Sequence, residues 1–74
     1  SVEDGIRYFE SVKETCELFL KSLESVPQYI DTYSNMIGQK DKALYWQMTA
    51  EYGRRSTQMQ IEWARDCIRR LEGK

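Results

Sequence analysis

Few side chains in this 74-residue sequence are able to do chemistry. It has no histidine, the commonest general base and a frequent metal ligand, and its two cysteines, Cys16 and Cys67, lack CxxC spacing. Glu10, Glu14 and Glu17 would share one side of a helix, but no second ligand set accompanies them. No Ser, Cys or Lys lies in a recognisable nucleophile motif. We therefore expect a solvated acidic face, no metal, no cofactor and no enzymatic activity.

Arginines form two basic clusters, Arg54-Arg55 and Arg65 with Arg69 and Arg70, which have the charge to contact phosphate. The whole chain, however, carries 11 basic and 12 acidic residues, for a net charge of −1. Nucleic-acid binding normally requires a strong basic excess. We interpret both clusters as ordinary helix surface and expect no direct contact with DNA.

Aromatic residues gather around a glycine in the second half of the chain. Tyr45, Trp46, Tyr52 and Trp63 have the types needed to line a pocket for a small aromatic ligand. Such residues are also enriched in cores and dimer interfaces. Gly53 lies inside a helical pattern, where glycine costs about 1 kcal/mol relative to alanine, and a bare backbone there favours close approach of another helix.

The element that precedes this region is a helix with a regular apolar seam. Nine residues repeat at alternating steps of three and four, which is typical of a helix that packs along another helix. They are Phe9, Val12, Cys16, Phe19, Leu23, Val26, Ile30, Tyr33 and Ile37. The pattern predicts helix from about Val2 to about Ile37, with a fault at Pro27. Either the helix continues through a kink at Pro27, or Ser25 caps a new helix; we favour a break near Ser25–Pro27.

A polar loop, Gly38–Lys42, separates this segment from a last helix that we expect from about Lys42 to Leu71 or Glu72, ended by Gly73. The last helix carries two apolar stripes, which predicts contact with two partners. The first stripe comprises Tyr45, Met48, Tyr52, Met59, Trp63 and Cys67; the second comprises Ile61, Ala64, Ile68 and Leu71.

A hairpin that closes near residue 40 would place the neighbourhood of Cys16 opposite that of Cys67. We interpret both as buried free thiols, since most helix pairs do not approach closely enough for a disulfide. Free thiols indicate a reducing compartment, and therefore the cytoplasm.

No stretch approaches the roughly 20 apolar residues that span a bilayer, so we expect no membrane contact.

The size of the chain indicates that it needs a partner. Chains this short bury only about 60–65% of their unfolded surface. Residues 1–37 carry a net charge of −4 and residues 38–74 carry +3, which favours packing of the two halves within the chain or across a dimer.

We therefore predict an all-α fold, a helical hairpin of two or three helices that forms one domain over residues 1–74. It would form a homodimer through a coiled-coil-like seam. An alternative is a free-standing adaptor or inhibitor domain that packs one helix face onto a different protein. The predicted dimer interface comprises Phe9, Val12, Phe19, Leu23, Tyr45, Met48, Tyr52, Gly53, Met59 and Trp63.

The segment from Ala43 to Glu72 resembles the last helix of PadR-family transcriptional regulators, and in particular the virulence-activator branch. The resemblance rests on four pairs of neighbouring residues: Tyr45-Trp46, Tyr52-Gly53, Glu62-Trp63 and Leu71-Glu72. It implies a C-terminal domain that dimerises a longer parent protein, whose N-terminal winged helix-turn-helix domains bind DNA. The chain starts at Ser1 in helix-like sequence, and we interpret it as a fragment of such a parent.

Overall fold

The computed structural model describes residues 1–25, 32, 35–36 and 40–73 of the chain. Two long helices, α1 (Val2–Ser22) and α2 (Lys40–Leu71), pack side by side and antiparallel. No strand occurs among the described residues. The predicted all-α hairpin is confirmed. Since α2 has 32 residues and α1 has 21, α2 is about 16 Å longer at 1.5 Å per residue.

Local sequence explains how α1 begins. The N–H of Asp4 donates a hydrogen bond to Ser1 Oγ at 3.2 Å, so Ser1 is the N-cap, and Glu3 and Asp4 place negative charge in the first turn. Arg7 forms an ion pair with Asp4 one turn later. The hydrogen bond from Arg7, and to a lesser extent that from Ser1, holds the pKa of Asp4 below its ordinary value.

The first helix ends at Ser22, earlier than the sequence predicts. Leu23 is its C-cap; the N–H of Leu23 donates to the carbonyl oxygen of Leu20, and the N–H of Glu24 donates to that of Lys21. Residues 23–25 form a turn, so helix does not run unbroken from Val2 to Ile37. The alternatives at Pro27, and the part of the seam formed by Val26, Ile30, Tyr33 and Ile37, fall outside the described residues.

The second helix begins at Lys40, two residues before the predicted start, so Asp41 lies in its first turn. Gly38, where the predicted polar loop begins, lies outside the described residues. The predicted end is confirmed, since α2 ends at Leu71 and Gly73 has a positive φ of 79°. Its N–H donates to the carbonyl oxygen of Arg70 at 3.2 Å, which closes the last turn.

The core is small and is built mainly from small side chains. Among the described residues, the buried ones are Cys16, Ala43, Thr57, Ile61 and Ala64. Thr57 is polar, but its hydroxyl donates a hydrogen bond to the carbonyl oxygen of Gly53 at 2.6 Å, so the buried hydroxyl has a hydrogen-bond partner within its own helix.

Three contacts fix the level at which the helices pair. A side chain at Gly5 would meet Leu71, Cys16 Sγ lies 3.5 Å from Gln60 Oε1, and a side chain at Gly53 would meet Leu23. The expectation that Cys16 lies opposite Cys67 is therefore wrong. Cys67 is seven residues beyond Gln60, or about 10 Å along α2. Periodicity identifies the face that a residue occupies but not its level along the partner helix.

The level at which α1 and α2 pair predicts that the two thiols cannot form a disulfide within one chain. Both are free, with Cys16 buried and Cys67 half-buried. We expect mild oxidation to leave the monomer without an internal disulfide and iodoacetamide to modify Cys67 faster than Cys16, as measured by peptide mass spectrometry. An internal Cys16–Cys67 bond formed under native conditions would contradict the register.

The core also predicts a large effect of a single truncation. Ile61 is 6% exposed, so Ile61→Ala removes buried methyl groups and should lower the free energy of unfolding by about 2–5 kcal/mol. Urea denaturation, monitored through the helical circular dichroism signal, measures this change in the free energy of unfolding. The control is Gln58→Ala on the exposed side of the same helix, which should change stability by less than about 0.5 kcal/mol. Equal effects of the two substitutions would show that Ile61 is not in the core.

Candidate interaction surface

The two apolar stripes of α2 have different environments. Ile61 and Ala64 of the second stripe are buried, and Ile68 and Leu71 are half-buried. Five members of the first stripe, which we call the outward stripe, are exposed by half or more. They are Tyr45, Met48, Tyr52, Met59 and Trp63. The cause is geometric: Met59 and Ile61, for example, lie about 200° apart around the helix, so one packs inward while the other faces solvent.

The α1 part of the predicted interface packs mainly within the chain. The Phe9 ring meets the Trp63 ring edge to face, with 5.3 Å between their centroids. Leu23 lies near Gly53, and Phe9, Val12 and Leu23 are all half-buried. Phe19 is different, since it is 50% exposed. Of the predicted interface residues on α1, Phe19 therefore has the most surface available to a second molecule.

An open groove of about 410 Å³ lies between the helices beside Phe19. We call it the Gly53 groove. From α1 it is lined by Cys16 and Phe19, and from α2 by Tyr52, Gly53, Thr57 and Gln60, among others. Tyr52 also belongs to the outward stripe, so the groove and the stripe form one continuous surface.

The four aromatic residues suggested as a ligand pocket do not converge within the chain. Tyr45 and Trp63 are 18 residues apart on α2, which separates them by about 27 Å. Of the four, Tyr52 lines the Gly53 groove. Sequence reasoning identified Gly53 and Phe19 but missed Thr57 and Gln60, because their polar character gave no signal that they face α1.

Acidic residues of α1 and α2 form ion pairs with arginines of α2. Arg55 forms an ion pair with Glu51 at 2.6 Å, and Arg69 forms one with Asp66 one turn before it. Arg65 lies 3.8 Å from Glu17 and so links α2 to α1. Such exposed pairs contribute little stability, but they offset part of the positive charge of each cluster.

Acidic and thiol side chains do not assemble into a metal site in the described part of the chain. Glu10, Glu14 and Glu17 are exposed on α1, as expected for a solvated face. The described helices also contain no segment long and apolar enough to cross a bilayer.

The family is decided by a match over almost the whole chain. Residues 1–72 match the family model described as virulence activator alpha C-term. The chain belongs to this virulence activator alpha C-terminal family. The match covers α1 as well as α2, whereas the resemblance noted in the sequence was confined to the second half. No curated protein and no solved structure matches the chain significantly.

Proposed function

We propose that this domain is the homodimerisation module of a PadR-like transcriptional regulator. It would hold two winged-helix DNA-binding domains of its parent at a fixed separation, in the cytoplasm, without contacting bases or catalysing a reaction. Family membership supports a regulator domain. The observation that carries the dimerisation role is the outward stripe, which leaves five large apolar side chains exposed on α2.

The total surface supports the same proposal. A compact monomer of 8.8 kDa should expose about 4,800 Å². This chain exposes 5894 Å². The excess, about 1,100 Å², is somewhat larger than the roughly 800 Å² that each partner buries in a standard protein–protein interface. Association through the stripe would lower the exposed surface of each chain toward that of a compact folded protein.

The charge of this surface is compatible with a second copy as the partner. The stripe itself is uncharged, and three of the five nearby arginines are already paired with acids of the same chain. A surface without a strong net charge can face its own copy without repulsion, and two-fold symmetry places the same patch on both sides of the contact.

A pair of substitutions tests dimerisation. Met59→Glu places a charge in the outward stripe, where Met59 is 57% exposed, so it should leave the protomer folded but weaken the dimer at least tenfold. Gln58→Glu introduces the same charge one residue away and outside the stripe, and should leave the dimer intact. Sedimentation equilibrium measures the mass of each. A wild-type chain that is monomeric at every concentration would exclude the proposal and favour a heterologous partner.

The parent protein provides a test of the DNA role. The 74-residue domain alone should show no sequence-specific binding to the parent's operator. In the parent, Met59→Glu should lower operator affinity at least tenfold, because two half-sites would no longer be bound by one linked dimer. Gln58→Glu in the parent is the control. If the Met59→Glu parent were monomeric and still bound the operator with unchanged affinity, DNA binding would not depend on dimerisation by this domain.

A further inference from the structure

We propose that the Gly53 groove is a socket for a second copy of this chain, which inserts a side chain of its outward stripe over Gly53. The insertion would be reciprocal if a two-fold axis passed near Tyr52, since such an axis would bring each stripe to the other copy's groove. This inference rests on the proposed dimerisation and adds the residues at which the two copies interlock.

The interior of the groove suits an apolar side chain. The hydroxyls of Ser56 and Thr57 both donate to the carbonyl oxygen of Gly53, at 3.2 and 2.6 Å. The Cys16 thiol donates weakly to Gln60 Oε1 at 3.5 Å. The hydrogen bonds of these groups are thus made within the chain. An aromatic ring or a methionine entering the groove would not leave them without partners.

Among the described residues, no contact requires a glycine at position 53. A Cβ added there would lie 4.0 Å from Leu23 Cδ1, which is an ordinary van der Waals distance. Gly5 provides the contrast, since a Cβ there would lie 3.0 Å from Leu71 Cδ1. In mid-helix, glycine costs about 1 kcal/mol relative to alanine. At Gly53 the described contacts offer no compensation, whereas a side chain seated directly on the backbone would provide one.

A second copy accounts for more of this surface than a small molecule does. The groove volume of about 410 Å³ is within the range of small-ligand pockets. However, the exposed stripe that joins it runs for about 27 Å from Tyr45 to Trp63, and a small ligand would leave most of that stripe in water. The excess surface of about 1,100 Å² likewise matches the area of a protein partner.

Filling the groove tests the socket. Gly53→Ala should raise the thermal stability of the protomer, because alanine favours helix, yet weaken the dimer about threefold or more. Gly53→Leu should weaken it at least thirtyfold. Gln58→Leu adds the same side chain outside the groove and should leave the dimer dissociation constant unchanged. Sedimentation equilibrium of the 74-residue chain gives the constants, and circular dichroism verifies that each variant is helical.

The outcomes separate this inference from the proposed function. A monomeric wild-type chain would overturn both. A wild-type dimer whose constant is unchanged in Gly53→Leu would overturn the socket alone. If Gly53→Leu does not fold, alkylation of Cys16 in a Cys67→Ser chain decides. At concentrations where circular dichroism shows the chain to be fully helical throughout, slower modification as protein concentration rises through the dimer range supports a covered groove, and a rate independent of concentration overturns it.

Discussion

Two helices packed side by side have one contact seam, and α2 carries apolar residues on two of its faces. This mismatch determines the rest of the structure. Ile61 and Ala64 occupy the seam and are buried, so Met59 and Trp63 remain largely in solvent. No rotation of α2 would bury both stripes against α1, because they lie on different sides of the helix. The apolar surface that remains is therefore a consequence of the helix pattern.

The fold class and the approximate helix ends follow from the sequence, but the level of pairing does not. The seam period identifies which side of α1 faces α2, and Gly73 identifies where α2 ends. Register depends instead on which large side chains fit beside which small ones, such as Leu71 beside Gly5. That fit is a property of both helices together. Periodicity along either helix alone carries no information about it, which is why Cys16 was assigned to the wrong level.

The predicted dimer interface includes the first stripe of α2, but residue types alone do not determine which stripe packs against α1. In a self-sufficient hairpin, burial of the larger aromatic stripe would give the greater hydrophobic gain. Here the buried positions include Ala43, Thr57 and Ala64, whose small side chains allow the helices to lie close together. Larger side chains such as Tyr52 lie outside, where size no longer limits the approach of α1 and α2. The choice follows from the packing distance, which residue types alone do not reveal.

The same arrangement couples stability to association. The unfolded chain would expose about 12,800 Å², so the protomer buries only about 54% of it, below the roughly 60% expected even of a 60-residue domain. Gly53, a mid-helix glycine where the described neighbours leave room for an alanine side chain, lowers the stability of the chain further. Any partner that binds the folded form adds stability by mass action. In the proposed dimer, the free energy missing from each protomer would come from the interface, so folding and assembly would depend on the same outward stripe.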